Sequence, residues 1–443
     1  MSQKQPQILK THADEDDFYH LLNAFSSFKH IVALWSHSPQ SQQESHSFPL
    51  HYFEHDGWIA ASNNPPKSVG GTNRLSDLKE VISSHKNHLF GFFSYDLKNE
   101  LEKLISTGED PFGFPVFWFF EPEILLRFQN GRIECLNGST EVIGLCMDIL
   151  SDSYHTIALK SISDSTPEKT FEFIPVVSRE EYGKNIDIIR RHIADGNVYE
   201  LNYCIEWQAQ SASISPIETW KSMNRRTQAP FSAFVRMDQH YLMSASPERF
   251  MCKHGQLVYS QPIKGTAPRN TDPKQDRENA HLLSVNKKER AENLMIVDLV
   301  RNDLSRSCTP GTVKVPELCK VFPLKTVHQM CSTICGELKT PLHPLDALLA
   351  AFPMGSMTGA PKISAMKIID ELETFQRGIF SGSVGYFTPQ GDFDFNVVIR
   401  SMIYRSDTKQ AVVRAGSAIT YDSNAEHEWG ECLMKAEAII NPF

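Results

Sequence analysis

Two apolar runs near the C-terminal end, Phe380–Phe387 and Phe393–Tyr404, flank the turn Pro389-Gln390-Gly391-Asp392. The second run alternates, so the pair is predicted to be a strand hairpin, and a chain containing it must build a sheet around it. Counting by two along one strand puts Asp394, Asn396 and Arg400 on one face, with Phe393, Phe395, Val397 and Ile399 on the other. Such a polar face asks for a reason.

The rest of the chain gives this hairpin ample company. At 443 residues it exceeds one average domain and can bury a sizeable core. The part up to about residue 150 is rich in aromatic and β-branched residues broken by turn signals, and reads as mostly strands. Asn130-Gly131, between ILLRF and RIECL, is a hairpin signal there. Residues 151–169 shift to Ser, Asp, Thr and Lys, which suggests a connection between an N-terminal β-rich module, 1–165, and a second module, 166–443. After it Ser178 and Glu181 form the ends of a capping-box pattern, with Tyr182, Ile186, Ile189 and Ile193 at helical spacing and Gly196 as a stop.

Charge excludes one class of function. With 44 basic and 53 acidic residues the net charge is −9, which repels nucleic acid. The start MSQKQPQILKTHADEDDF does not read as a secretory signal, and no stretch reaches the length of an apolar membrane span. The nine cysteines are scattered, with only Cys331 and Cys335 close enough to suggest a pair, so reduced thiols and a cytoplasmic setting are expected.

Several residues could carry chemistry, and each also has a structural reading. Glu289 and Glu292 lie three apart in a helix-compatible stretch, as do Glu428 and Glu431. Two such pairs offer hard oxygen ligands for Mg2+, or they are solvated helix faces, with Glu431 and Lys435 an ordinary i,i+4 ion pair. The segment Pro353-Met354-Gly355-Ser356-Met357-Thr358-Gly359-Ala360-Pro361-Lys362 could bring backbone amides to an anion, or be a tight helix entry; its spacing is not that of a Walker A loop. Lys264, in Pro262-Ile263-Lys264-Gly265-Thr266, becomes a usable nucleophile if buried beside apolar groups, or is a surface charge. Glu248 could be an acid or the partner of Arg249, and His328 catalytic or a core histidine.

These pieces stand in one order: SASPERF, PIKGT, ERAENLMIVDLVRNDLSR, VHQMCSTICGEL, FPMGSMTGAPKISAM, GIFSGSVGYF, FNVVIRSMI, RAGSAITYDS and EHEWGECLMKAEAI. From about residue 175 onward the chain resembles the chorismate-binding enzymes. The resemblance implies an α+β fold, a large two-layer and mostly antiparallel β-sandwich wrapped by helices, with chorismate and Mg2+ in a cleft. It implies that Glu289, Glu292, Glu428 and Glu431 are the metal-site carboxylates. Tyr386, Arg400 and the backbone around Ala415 and Gly416 match positions that hold the enolpyruvyl carboxylate, which would account for the polar strand face. Gly265, Thr266, Thr358, Gly359 and Lys362 match substrate-binding positions.

Lys264 sets the expected reaction. Family members with Pro-Ile-Lys-Gly-Thr make the 4-amino product, whereas anthranilate-forming members usually have Ala at the lysine position. Lys264 is therefore expected to attack C2 of chorismate and expel the C4 hydroxyl, with Glu248 protonating the leaving group and His328 positioning substrate; ammonia then adds at C4. The implied function is conversion of chorismate and ammonia to 4-amino-4-deoxychorismate, for para-aminobenzoate and folate. The ammonia would come from a separate glutamine amidotransferase, since no fused glutaminase or lyase is seen. Anthranilate formation is the alternative. Two departures from the family pattern stand out. Tyr199-Glu200-Leu201-Asn202 replaces the usual Tyr-Gln-x-Asn, and no Leu-Leu-Glu-Ser element is evident in the N-terminal module.

Overall fold

The computed structural model describes residues 6–37, 56–106, 108, 110–151 and 171–441. Among these described residues, two antiparallel sheets of twelve and ten strands carry the fold. In the first, the N-terminal strands end at His30–Trp35, which pairs with Phe231–Met237. The sheet then continues through His240–Ser246, Ser401–Arg405, Gln410–Ile419 and Glu200–Ala209 to the short edge Gly359–Ala360. The second runs from the edge Ile263–Pro268 through Val327–Glu337, Leu257–Gln261, Arg249–His254, Phe393–Asn396 and Ser383–Phe387 into the N-terminal strands Leu89–Phe93 and Phe117–Phe120.

Residues before 151 and after 171 thus share both sheets and form one folded unit rather than two separate bodies. Of the connection expected at residues 151–169, all but Ser151 lies outside the described residues. The N-terminal part is also less purely β than its composition suggests. It contains the helices Glu15–Ala24, Leu75–Ser84 and Thr140–Ile149. The first had a legible signal, a capping box between Asp14 and Asp17, and it buries Phe18, Leu21 and Leu22.

Alternation explains the core. In His30–Trp35, Val32 and Leu34 join the cluster between the sheets, while Ile31, Ala33 and Trp35 join a second cluster. There they meet Tyr182 and Ile186 of the predicted helix, found at Arg179–Ala194. A strand covered on both faces needs apolar residues at every position, which is why HIVALW is continuous rather than alternating. All nine cysteines are free and buried.

Both predicted hairpins are present. Ile124–Gln129 pairs with Arg132–Asn137 across Asn130 and Gly131, both at positive φ, and Ser383–Phe387 pairs with Phe393–Asn396. The run 393–404, however, is not one strand. It breaks after Asn396, and Ser401–Arg405 belongs to the other sheet. Arg400 has φ 51°, so counting by two does not carry across the break. The buried polar residues on Phe393–Asn396 have structural work. Asp394 forms a two-pronged ion pair with Arg249, and Asn396 donates to the Phe231 carbonyl of the opposite sheet at 2.9 Å.

Candidate active site

Lys264 lies on the edge strand of the second sheet, and Glu200 opens the strand Glu200–Ala209 beside the edge of the first. Lys264 Nζ donates to Glu200 Oε1 at 2.7 Å, so the pair spans the two sheets. Glu200 is buried, and among the described residues its Oε2 accepts no hydrogen bond. Burial alone would lower the proton affinity of Lys264, as the sequence reading expected. The negative charges of Glu200, Glu292 and Glu248 outweigh it, and the lysine is held above its ordinary range. This corrects the expectation of a lysine neutralised by apolar surroundings.

Glu248 is the opposite case. Burial dominates and pushes its carboxyl up to about 7, although Ser356, Lys264 and the backbone at Ile263 oppose the shift. Ser356 Oγ donates to Glu248 Oε1 at 2.7 Å, placing the Gly-rich loop against the acid. A carboxyl with this affinity can give up a proton near neutrality.

The two glutamate pairs come from helices started by asparagine caps. Asn286 accepts from the Lys288 and Glu289 amides ahead of Lys287–Ser307, and Asn424 accepts from the Glu426 and His427 amides ahead of Ala425–Ile440. Glu292 is raised to about 7, first by burial and then by the charges of Glu200 and Glu289. Glu289 is raised by burial, with Glu431 contributing from the other helix. Glu431 is lowered despite burial because Lys435 pairs with it. Ligand atoms of His427, Glu428 and Glu431 lie within 4.8 Å of one another. The charge of Glu431 reaches Glu289 from the other helix, and hard oxygen groups brought close in this way fit a divalent cation. His427 was not singled out in the sequence.

Gly265, at φ 95°, leaves room for Glu289: a Cβ there would sit 3.0 Å from Glu289 Oε2. Thr266 is exposed. Arg400 makes no side-chain hydrogen bond among the described residues; burial lowers its proton affinity, and the charge of Glu431 opposes that shift. Its guanidinium is available for a carboxylate. Buried Ala415 precedes Gly416, whose carbonyl accepts from Lys435 at 2.8 Å and whose missing Cβ makes way for Cys204 and Asn202.

Other expected positions serve the fold. Thr358 donates to the Met354 carbonyl at 3.1 Å. Gly359 packs on the strand of Glu200: a Cβ would lie 2.2 Å from the Glu200 carbonyl oxygen. Gly355 likewise yields to Leu299, so close packing accounts for both glycines of the loop. Lys362 turns to Asp303, with Nζ to Oδ2 at 2.7 Å, and is occupied by that buried pair. Tyr386 sits in the apolar core, stacked on Phe90 and beside Trp58, because its strand lies inside the second sheet. It is not part of the charged cluster. His328 Nε2 lies 2.9 Å from Asp276 Oδ1, a partner that sequence reasoning missed because it comes from the distant helix Pro273–Val285. The Arg269 guanidinium holds Asp276 well below the carboxylate range, which makes it a fixed anion orienting the imidazole.

A family model described as chorismate binding enzyme matches residues 33–441. The chain is 39% identical over 381 residues to the Arabidopsis thaliana chloroplastic aminodeoxychorismate synthase, covering 82% of this chain and 41% of that one. It is 38% identical over 379 residues to Escherichia coli (strain K12) aminodeoxychorismate synthase component 1, covering 83% and 80%. The chain thus spans less than half of the plant relative. Among solved structures, anthranilate synthase component I from Streptococcus pneumoniae TIGR4 superposes with a TM-score of 0.72 at 26% identity, over 86% of this chain and 88% of that one.

Proposed function

The chain belongs to the chorismate binding enzymes, and we propose that within this family it converts chorismate and ammonia to 4-amino-4-deoxychorismate, the activity of aminodeoxychorismate synthase component I. The observation that carries the reading is a largely buried Lys264 whose charge is felt by a carboxyl, Glu248, poised to donate a proton.

In this reading the Lys264 amine attacks C2 of the ring. The two ring double bonds shift, and the C4 hydroxyl leaves as water with the proton of Glu248. Ammonia then adds at C4, the double bonds return, and the lysine leaves C2 as an amine. Splitting one substitution into two places the new amine at C4 rather than C2. Arg400 pairs with a substrate carboxylate through its two-pronged donor geometry. Glu289, Glu292, Glu428 and Glu431 would hold Mg2+, which supplies positive charge for the other carboxylate. His328, oriented by Asp276, positions substrate. A separate glutamine amidotransferase supplies the ammonia, and the product feeds para-aminobenzoate and folate synthesis.

The test is product analysis with chorismate, Mg2+ and ammonium at mildly alkaline pH, with and without an aminodeoxychorismate lyase. Para-aminobenzoate formed only with the lyase supports the proposal. Fluorescent anthranilate formed without it overturns the proposal.

A further inference from the structure

We propose that Glu200 is the base of the reaction, taking the proton of Lys264 so that its neutral amine can attack the ring. This inference rests on the amination reading above and assigns a role to a residue outside the machinery described there. Three observations carry it. Glu200 Oε1 accepts directly from the atom that must lose the proton, at 2.7 Å, and among the described residues that ammonium is the only hydrogen-bond donor to the carboxylate. The carboxylate is buried, so water does not compete for it. Its backbone is pinned, because the Tyr199 amide donates to Ala360, the Asn202 amide donates to Thr358, and Gly359 packs against the Glu200 carbonyl.

The proton count closes. At rest Lys264 is an ammonium, Glu200 a carboxylate and Glu248 a carboxylic acid. Glu200 takes one proton from Lys264, the neutral amine forms the bond to C2, and the C4–O bond breaks as Glu248 protonates the hydroxyl to water. Ammonia forms the C4–N bond while the C2–N bond to lysine breaks. The freed amine recovers its proton from Glu200, and Glu248 recovers one from the new C4 ammonium. The sum is chorismate plus ammonia giving product plus water. Transfer from ammonium to carboxylate is uphill in water. In a closed cleft the neutral pair loses less solvation than the ion pair, so filling the cleft with substrate moves the balance toward the free amine.

The experiment uses the full chain with Mg2+, ammonium and chorismate, comparing Glu200→Gln and Glu200→Ala with wild type. The amide keeps the size of the side chain and cannot accept the proton. Glu200→Gln is expected to lower kcat about 100-fold or more, within the range of general-base effects. Glu200→Ala is expected to regain rate in proportion to added formate, whereas Lys264→Ala does not respond. Since rescue is read within one preparation, misfolding cannot imitate it. Wild-type kcat in Glu200→Gln, or no response of Glu200→Ala to formate, overturns the inference while leaving the amination reading intact. A wild-type chain that forms anthranilate overturns both.

Discussion

Lys264 Nζ and Glu200 Oε1 meet at 2.7 Å although Lys264 lies on the edge strand of one sheet and Glu200 on the strand next to the edge of the other. The contact fixes the charge state of the proposed nucleophile. It also ties the edge strand of one sheet to the penultimate strand of the other, so chemistry and architecture share one ion pair.

Replacing Lys264 by Ala is expected to abolish formation of the 4-amino product or to redirect it. Chorismate binding should stay within about threefold, less than 1 kcal/mol, because Arg400 and the carboxylates proposed to hold the metal remain. Chromatography of the products and titration calorimetry check the two halves. Normal turnover to the same product would sink the covalent step.

Glu248, raised to about 7 by burial, must be protonated to act as an acid, so kcat/KM should fall as pH rises through about 7. Glu248→Gln should be slower by about 10²–10⁴-fold and lack that limb. Stability has the same sign. Between the ordinary value of 4.5 and about 7 the unfolded chain has lost this proton while the folded chain keeps it. Glu248 should therefore contribute a loss of up to about 3 kcal/mol across that window, so the slope in denaturant titrations at several pH values should be shallower in Glu248→Gln, which keeps the contribution of Glu292.

Arg400→Ala removes an uncommitted guanidinium. A charge-assisted hydrogen bond is worth about 1.5–3 kcal/mol, so KM for chorismate should rise roughly 10- to 100-fold with a much smaller change in kcat. A change in kcat alone would place Arg400 outside substrate binding.

Mg2+ at about 100 times its Kd should stabilise the folded chain by about 2.7 kcal/mol, seen as a rise in Tm without any substrate. Glu292→Ala combined with Glu431→Ala should remove the rise, as should a chelator. An equal rise in the double variant would place the ion elsewhere.

Gly359→Ala would put a methyl group 2.2 Å from the Glu200 carbonyl oxygen. The strand must shift, at a cost of about 1–3 kcal/mol in urea unfolding. Because that strand carries Glu200, activity should fall as well. Gly196→Ala, at a loop position with open space around it, is a control for the glycine's φ of 77°.

The sequence by itself determined the elements whose signals are local. The Ser178 cap and the apolar spacing behind it specify the helix Arg179–Ala194, Asn130-Gly131 specifies its hairpin, and helical spacing sets Glu289 with Glu292 and Glu428 with Glu431. The order of the motifs also identified the family and its sandwich. Only the tertiary structure decided what each side chain faces. Val397–Arg400 passes from one sheet to the other, so an alternation that looks continuous changes meaning at the break. Tyr386 goes to the aromatic core, and Lys362 is claimed by Asp303, 59 residues away. Lys264 gains rather than loses proton affinity because Glu200, 64 residues earlier, arrives beside it. Periodicity records which face of an element a residue occupies. The charge and packing it meets there come from segments far away in the chain, and these set its protonation and its role.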